Sequence, residues 1–386
     1  MKTYKFRLYP NKTQERILIA TLATCNTLYN ACLTERINLH KQEQKNTSAF
    51  SQMQNLARLN IPDLDLVYMQ VLQQVIHRLD FAFKGFFKRV KQNENPGFPR
   101  FKSVDRFNSF CYPQLGFKLC DTKHLKLSKI GIIKIKIHQP IDGEIKTVIV
   151  KQNRSGQWFA CFTVTTKENP PKVDIQSKVG IDVGCVSFAT LNDGTKFEHP
   201  HYYRKMEQKL VNIQQRYSKI KPENSDEIKC KLKRKLNRLH DKVANQRNDF
   251  LHKLSHKLVT TYDLICIENL DIKSMTKNSY RRLNKSIHDS SWHQFGLYLS
   301  YKAENAGKHV VKVDAAYTTQ TCSCCGTHVK LKLNQRTFHC PDCHLLLDRD
   351  VNAAINILNL GVEHHDKTSR WHLIVDQIKA DQLKYA

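Results

Sequence analysis

Four cysteines near the carboxyl end of the chain place the tightest constraint on its fold. They form two Cys-x-x-Cys pairs with 14 residues between them: Cys322, Cys325, Cys340 and Cys343. Two such pairs can place four thiolates tetrahedrally around one Zn²⁺. The residues between them are polar and basic, so this segment has too few apolar side chains for a core of its own. We therefore predict a zinc ribbon over residues 318–346, in which one structural Zn²⁺ supplies folding free energy.

Two alternatives for these cysteines stay open, namely unbound thiols in a core and disulfides. The chain has 13 cysteines, and most of those outside the cluster lie in apolar surroundings, where cysteine packs as a small hydrophobe. This usage is typical of a reducing compartment, which disfavours disulfides. We interpret Cys324 as a bystander inside the first pair. The substitute ligands would be His328, His339 and His344. Whether the ribbon contacts nucleic acid or only stabilises the fold also stays open.

The charge of the chain indicates a polyanionic partner. Its 386 residues include 62 Lys and Arg against 35 Asp and Glu, a net charge of +27. This excess favours nucleic acid, because binding to a membrane surface usually requires a basic amphipathic helix or a lipidation signal, and neither is evident. No apolar run approaches the ~18–20 residues that span a bilayer. Residues 1–10 lack the apolar core of a signal peptide. We therefore expect neither an integral membrane protein nor a secreted one.

The first half of the chain combines helices with short strands. Residues 4–8 alternate apolar and charged side chains, which predicts a strand. Apolar stripes at helical spacing predict helices through residues 18–32 and 72–90. From 105 to 166 the period changes to two, as in a small antiparallel sheet or barrel. Pro170-Pro171 is typical of a linker, and we place the domain boundary there.

The second half is predicted to be α/β. Short apolar runs predict strands over residues 178–182, 186–191, 196–198, 262–268 and 309–314. Helical spacing predicts helices over residues 203–257, 290–306 and 348–360. The first of these is expected to break near Lys221-Pro222, and it carries 16 Lys and Arg against 6 Asp and Glu. The tail after Gly361 is weakly patterned, and we expect it to be partly disordered.

Three carboxylates stand at the ends of predicted core elements. Asp182 ends the first strand of the second half, Glu268 ends an apolar strand further on, and Asp350 starts the last helix. If the two strands are neighbours and the helix packs across them, the three acids meet in one cleft. Such a cluster repels itself unless divalent cations neutralise it. Two Mg²⁺ ions about 4 Å apart would then clamp a scissile phosphodiester and activate a water.

Each of these acids also has a simpler interpretation. Asp182 could be a turn carboxylate, and Glu268 could be a surface residue at a strand end. Asp350, or its neighbour Asp348, could simply cap the last helix. The residues alone therefore leave the magnesium site as one of two interpretations.

The chain resembles the TnpB proteins of small insertion sequences, which are relatives of type V CRISPR nucleases. The resemblance extends to about residue 361 and rests on several motifs in order. These are Tyr4-Lys-Phe-Arg-Leu-Tyr-Pro10, Gly97-Phe-Pro-Arg-Phe101, Gly180-Ile-Asp-Val-Gly184, Asp249-Phe-Leu-His-Lys-Leu254, Ile267-Glu268, Thr321-Cys-Ser-Cys-Cys-Gly326 and Asp348-Arg-Asp-Val-Asn-Ala-Ala354.

This resemblance implies an α+β multidomain fold. Residues 1–170 would form a wedge β-barrel with a helical recognition part inserted at about 11–100. Residues 171–361 would form a RuvC-like nuclease of ribonuclease-H fold that contains the zinc ribbon, and residues 362–386 would be the tail. Asp182, Glu268 and Asp350 fall on the catalytic acid positions, Asp348 would be the cap, and the four cysteines fall on the zinc site.

The resemblance also implies a function. The chain would be a transposon-associated, Mg²⁺-dependent and RNA-guided DNA endonuclease that cleaves target DNA next to a short flanking motif. Its partners would be a guide RNA and double-stranded target DNA. It would be cytoplasmic in a prokaryote and associated with the nucleoid.

A guide–target heteroduplex held by its backbone requires a surface rich in Lys and Arg. By the resemblance, Gln73 aligns with a position that reads the flanking motif and Tyr112 is a second candidate, although either could be ordinary surface. The other expected nucleic-acid contacts are Lys84, Lys88, Arg89, Arg100, Arg234, Arg238 and Arg247. Aromatic side chains beside them could stack bases: Phe86, Phe87, Phe98, Phe101, Tyr202 and Tyr203. Phe86 and Phe87 also fit a buried core.

Two other functions stay open. The chain could be an RNA-guided DNA-binding regulator that does not cleave, although all three acids are present. It could also be a transposase or accessory protein of an insertion sequence that acts without guide RNA. The sequence lacks the His-hydrophobic-His and Tyr arrangement of the separate single-strand transposases of such elements, which counts against that function.

Overall fold

The first strand of the chain lies at the centre of a seven-stranded antiparallel sheet. The computed structural model describes residues 1–43, 47–59, 61–166, 170–220, 226–277, 280–314, 316–332 and 335–384. It divides into two units, residues 1–167 and 168–386. The strands of the first unit are β1 (Lys2–Tyr9), β2 (Ser109–Pro113), β3 (Phe117–Leu119), β4 (His124–Leu127), β5 (Gly131–Lys136), β6 (Glu144–Gln152) and β7 (Trp158–Thr165). Their order is β2-β6-β7-β1-β5-β4-β3. The predicted small antiparallel sheet is confirmed.

Three helices lie between the first two strands: α1 (Lys12–Glu43), α2 (Ala49–Gln54) and α3 (Met69–Lys91). Short 3₁₀ turns cover Leu56–Leu59, Leu64–Leu66 and Val104–Arg106. Asn11 and Gln14 cap α1 reciprocally, since each side chain accepts the backbone N–H of the other. By length and composition α1 could cross a membrane. Its apolar stripe, from Leu18 to Cys32, is buried in the core of this unit, as in the core helix of a globular domain.

The apolar stripe of α3 is buried over only part of its predicted length. The side chains from Val71 to Leu79 are buried, as predicted. Further along the helix, Phe87 is 53% exposed and Val90 is 45% exposed. The predicted helix over residues 72–90 is confirmed, but in the described part of the unit the apolar side chains of its last turn are largely exposed.

The second unit contains a five-stranded mixed sheet. Its strands are β8 (Lys178–Val183), β9 (Ser187–Leu191), β10 (Lys196–Glu198), β11 (Leu264–Glu268) and β12 (His309–Val313), in the order β10-β9-β8-β11-β12. β8, β11 and β12 are parallel, and β9 and β10 join antiparallel through hairpins. All five predicted strands of this half are confirmed to within two residues at each end.

Helices cover both faces of this sheet. The helices in the described part of this unit are α4 (Tyr202–Ser218), α5 (Asp226–Thr261), α6 (Ile272–Lys277), α7 (Arg281–Ser290), α8 (Trp292–Asn305) and α9 (Arg349–Lys384). Apolar residues of α5 and α8 pack against Val179, Ile181 and Ile267. Ile357 of α9 packs on the opposite face, against Leu264 and Cys266. The predicted break near Lys221-Pro222 lies outside the described residues, and α4 and α5 flank it.

The last helix is longer than predicted. We expected α9 to end before Gly361, with a partly disordered tail, but the helix continues through this residue to Lys384. Gly361 does not end the helix; it allows close packing, because a methyl group at this position would overlap Cys266 Sγ. Such a close approach of helix and strand requires glycine. The prediction that Gly361 ends the helix is therefore wrong, because this glycine serves close packing between helix and strand.

Candidate active site

Two neighbouring parallel strands bring the first two predicted acids to one edge of the sheet. Ile181 of β8 is in register with Ile267 of β11, so Asp182 and Glu268 follow at the same level. Because side chains alternate along a strand, both acids lie on the face opposite the buried Ile181 and Ile267. This is the face that α9 covers.

Small residues bring the third acid to the same edge. A methyl group on Gly180 would overlap the carbonyl oxygen of Ala354 in α9, so the helix lies directly on β8. The first turn of α9 carries Asp350, whose charge acts on Asp182. The Gly180-Ile-Asp and Asn-Ala-Ala motifs therefore have a steric cause: small side chains allow the helix to bring Asp350 to Asp182.

The electrostatics of the three acids fit a cation site. Asp182 is only 9% exposed, and burial, Glu268 and Asp350 together raise its pKa well above the ordinary range. Burial also raises the pKa of Glu268, although a hydrogen bond from Thr318 opposes this. Within the described residues the acids do not all lie within 4.8 Å of one another. A divalent cation would remove the repulsion that raises the pKa of Asp182.

Asp348 and Asp350 have different positions although they are two residues apart. Asp348 Oδ1 accepts the backbone N–H groups of Asp350 and Val351, at 3.0 and 3.3 Å, so Asp348 caps α9. Its other oxygen binds Lys196 Nζ at 2.6 Å. Asp350 contacts Arg349 Nη2 at 3.3 Å. The capping alternative therefore applies to Asp348 and not to Asp350.

Three residues that support this site were not predicted from the sequence. Thr318 Oγ1 donates a hydrogen bond of 2.6 Å to Glu268 Oε1. Asn356, on α9, donates to the carbonyl oxygens of Thr318 and Thr321. Asn352 donates to the Thr321 carbonyl and accepts the N–H of Ser323. The buried asparagines therefore hold the segment that enters the cysteine cluster. Asn352 lies in the motif Asp348-Arg-Asp-Val-Asn-Ala-Ala354, but the sequence does not reveal its hydrogen-bond partners.

The four predicted cysteines come together. Their sulfur atoms all lie within 4.8 Å of one another, with Cys322–Cys343 and Cys325–Cys340 distances of 3.5 Å. A tetrahedral site with Zn–S distances near 2.3 Å places its sulfurs about 3.8 Å apart, so the arrangement fits one metal ion. None of the four cysteines is in a disulfide, so each can lose its proton and bind a metal as a thiolate. The strands β13 (Thr337–His339) and β14 (Leu346–Asp348) pair beside them.

A second group of ligand-type residues does not fit a metal. His199, His201 and Asp289 lie close together. However, His199 Nδ1 accepts the N–H of His201, so its Nε2 carries the proton and donates to Ser290 Oγ. Burial lowers the pKa of His199 to about 4, so it is neutral and both nitrogens are occupied. Asp289 accepts the N–H of Tyr203. The group fixes the start of α4.

The predicted nucleic-acid contacts of the second unit lie on α5. Arg234 and Arg238 are exposed, as a phosphate contact requires. Arg247 instead donates to the carbonyl oxygen of His288 at 2.8 Å and lies 3.9 Å from Asp289. Its guanidinium is held by these protein partners, and its contact with nucleic acid stays a prediction.

The predicted contacts of the first unit divide in a similar way. Tyr112 is 1% exposed and its hydroxyl donates to the Ser128 carbonyl; it is a core residue, so the prediction of a nucleic-acid contact is wrong for it. Gln73 is half-buried on α3, and Arg89 is half-buried and donates to the Pro96 carbonyl. Of the predicted cationic contacts in this unit, Lys84, Lys88 and Arg100 are exposed.

Family models match most of the chain in three parts. The model described as "Probable transposase" matches residues 161–279, and "Cas12f1-like, TNB domain" matches residues 292–357. A model described as "Helix-turn-helix domain" matches residues 1–45, although the structure of residues 1–43 is one strand and one helix.

Relatives at about 30% identity extend over almost the whole chain. "Putative RNA-guided DNA endonuclease InsQ" of Escherichia coli (strain K12) is 31% identical, over 94% of this chain and 92% of the relative. "TnpB-like protein L79" of Acanthamoeba polyphaga mimivirus is 30% identical, over 93% and 73%. Among solved structures, the Cas12f1–sgRNA–target DNA complex matches 90% of this chain and 83% of that chain, with a TM-score of 0.56 and 15% identity. That likeness is one of fold.

Proposed function

The chain belongs to the TnpB family, and on that premise we propose that it is an RNA-guided DNA endonuclease with a RuvC-like active site. The observation that carries the proposal is the convergence of Asp182, Glu268 and Asp350 at one edge of the sheet. The names of the relatives support RNA guidance and DNA cleavage. The mixed sheet supports a ribonuclease-H-like domain, because two antiparallel strands precede three parallel ones in the order β10-β9-β8-β11-β12.

The three acids would hold Mg²⁺. When bound, this ion would polarise the scissile phosphodiester and lower the pKa of a water. The protein supplies the rigid frame: strand register fixes Asp182 and Glu268, and the hydrogen bond from Thr318 orients the Glu268 carboxylate. Arg349 places a guanidinium beside Asp350, a group suited to stabilising negative charge on a phosphate.

The four cysteines would hold one structural Zn²⁺. The buried core of this segment consists of Cys322, Phe338 and Cys340, which is too small to fold alone, so metal binding would supply folding free energy. The segment joins the active site through Thr318, which precedes the first cysteine and binds Glu268. We propose that zinc stabilises the position of Thr318 and has no part in hydrolysis.

Guide RNA and double-stranded DNA would bind to the basic surfaces. On α5 the exposed Arg234 and Arg238 are suited to phosphate contacts, and on the first unit Lys84, Lys88 and Arg100 are suited to them. Gln73 would read the flanking motif. The wedge and recognition parts would lie within residues 1–170, and the nuclease with its ribbon within 171–361.

The test is cleavage by the protein co-expressed with its own flanking locus and purified with the RNA that it retains. The substrate is a plasmid that carries the guide-matched target beside a randomised flank, with Mg²⁺ or EDTA. We expect linear product only with Mg²⁺ and a matching guide. Asp182→Ala should abolish cleavage and leave RNA and DNA binding intact. Asp174→Ala, an exposed aspartate of the same unit, is the matched control and should cleave normally.

The other outcomes distinguish the alternatives. Cleavage by Asp182→Ala would overturn the active site. Bound RNA without cleavage by the unsubstituted protein would favour a regulator. Absence of bound RNA, with activity on transposon ends, would favour a transposase that acts without a guide.

A further inference from the structure

The last turns of α3 form one wall of an aromatic cavity. Its volume is about 620 Å³, within the range of small-molecule sites. Phe83, Phe86, Phe87 and Phe98 line it, and the four rings contact one another, with centroid distances of 5.1–6.4 Å. Phe87 and Phe98 are 53% and 49% exposed. Large aromatic rings that meet and stay half-exposed are typical of a binding site rather than of a core.

The loop that supplies Phe98 is fixed at both ends. Arg89 Nε donates a 2.7 Å hydrogen bond to the Pro96 carbonyl. Asn30, on α1, exchanges two 2.9 Å hydrogen bonds with the backbone of Lys102. Gly97 turns the chain with a φ of +57°, a conformation that suits glycine. The ring of Phe98 is therefore held in place before any ligand binds, which lowers the entropy cost of binding.

The remaining wall of the cavity is cationic. Arg36, Lys41 and Lys84 line it, against one carboxylate, Asp80. The side chain of Arg36 is 9% exposed, and its guanidinium lies 5.2 Å from the centre of the Phe83 ring. Asp80 binds both Arg36 and Lys84, at 3.3 and 3.0 Å. The cavity therefore keeps an excess of positive charge beside its aromatic rings.

We propose that this cavity binds one unpaired nucleobase, whose face stacks on Phe87 or Phe98 and whose neighbouring phosphate meets Lys41 and Lys84. Aromatic rings give stacking that tolerates any base, and adjacent cations bind the backbone. Paired bases cannot enter, because their faces are covered by their neighbours in the helix. The ligand is thus single-stranded nucleic acid, from either the RNA or the DNA. This inference rests on the proposed function and assigns a role that the cleavage site does not supply.

The test uses the complete chain, freed of nucleic acid at high salt. The probes are single-stranded RNA and DNA oligonucleotides of one sequence with a single 2-aminopurine, and the matching duplex. Stacking of this base on an aromatic ring lowers its fluorescence. We expect quenching of a single-stranded probe, and about tenfold weaker binding of it to Phe98→Ala and Phe87→Ala, as loss of one stacked base gives. Binding of the duplex should not change.

Phe50→Ala is the matched control, because Phe50 is 67% exposed on α2 and does not line the cavity. It should bind all probes as the unsubstituted chain does. The RNA and DNA arms identify the source of the base, and Phe98-dependent quenching in either arm supports the proposal. Equal quenching by the unsubstituted chain and both cavity variants would overturn it.

A second copy of this chain is the other conceivable occupant. Light scattering would reveal it as a dimer that Phe98→Ala converts to a monomer, and this result would also overturn the proposal. The nuclease is tested separately. If cleavage persists while quenching does not depend on Phe98, only the cavity assignment fails. If quenching depends on Phe98 while the protein never cleaves, only the proposed function fails.

Discussion

The cysteine cluster and the carboxylate cluster of the second unit are built in opposite ways. All four sulfurs come from residues 322–343, in two short turns, and only a few apolar side chains are buried around them. The three acids come from positions 182, 268 and 350, and a sheet with helices on both faces brings them together. One cluster is local and has almost no core, and the other is assembled by the whole fold.

This difference predicts different responses to the loss of a metal. The cysteine segment buries only a small core, so it should unfold without zinc. The carboxylates are held by strands whose packing does not involve a metal, so they should stay in place without Mg²⁺. Removal of Mg²⁺ should even leave the acids repelling one another in a rigid frame, because Asp182 is buried beside the other two.

Replacement of a cysteine of the proposed zinc site should have the largest effect. Cys340→Ser would remove one of the four proposed ligands, and structural Zn²⁺ sites in zinc-finger peptides bind with about 10–16 kcal/mol. We expect bound zinc, measured by atomic emission, to fall from one ion per chain to almost none. Amide hydrogen exchange should accelerate over residues 318–348 and remain slow in β8 and β11.

Cys324→Ser is the matched control. Cys324 lies between the ligands but is exposed and outside the sulfur group, so zinc content and exchange should not change. Full zinc retention by Cys340→Ser would contradict the cluster as a four-cysteine site. Loss of exchange protection in β8 would contradict the comparison, because it would make the sheet dependent on the ribbon.

The same contrast explains what the sequence could predict. The cysteine site is visible from spacing alone, because its ligands are close in the chain. The acids could be chosen because each stands at the end of a predicted core element, but their meeting depends on the order of the strands, which periodicity does not give. The structure supplies this order, because Ile181 of β8 is in register with Ile267 of β11. Partners such as Thr318 for Glu268 are 50 residues apart and carry no motif of their own.

The errors have equally specific causes. Tyr112 is a candidate contact by the family resemblance alone, and a resemblance does not reveal which face of a strand is buried. The prediction of a helix end at Gly361 is wrong because glycine has two uses, one in turns and one in close packing, and the sequence does not distinguish them. The stripe of α3 has the right period through residue 90, but periodicity cannot tell whether a partner covers each turn. That uncovered end became the aromatic cavity.

Replacement of Asn356 should slow catalysis without changing zinc binding. Asn356→Ala leaves the Thr318 carbonyl without this donor, whereas Thr321 keeps the donor Asn352. Loss of one hydrogen bond to a buried carbonyl costs about 1 kcal/mol or more. We expect a lower free energy of unfolding in urea and slower cleavage, with normal zinc content.

Asn359→Ala on the same helix is the matched control, since Asn359 is exposed. It should have little effect on either measurement. Normal cleavage by Asn356→Ala would mean that the ribbon and the acids do not communicate through Thr318.

Removal of the Thr318 hydroxyl tests that communication directly. Thr318→Val keeps the shape of the side chain and removes the hydrogen bond to Glu268. A hydrogen bond to a charged group is worth about 1.5–3 kcal/mol, so the single-turnover cleavage rate should fall about tenfold or more. Thr318→Ser restores the hydroxyl and should recover most of the rate. Slow cleavage by both variants would indicate a packing role instead.

The helix cap should give the smallest effect and the sharpest distinction between neighbouring acids. Asp348→Ala removes the acceptor for the N–H groups of Asp350 and Val351 and should lower stability by about 1 kcal/mol. Asp348→Asn keeps an acceptor oxygen and loses only the ion pair with Lys196, whose side chain is 39% exposed; such pairs contribute little. We therefore expect Asp348→Asn to retain nearly full stability. Asp348→Ala and Asp348→Asn should both retain some cleavage, whereas Asp350→Asn should retain none. The two aspartates are two residues apart and differ in what they bind. Equal loss of cleavage in Asp348→Asn and Asp350→Asn would therefore mean that the acid site includes the helix cap.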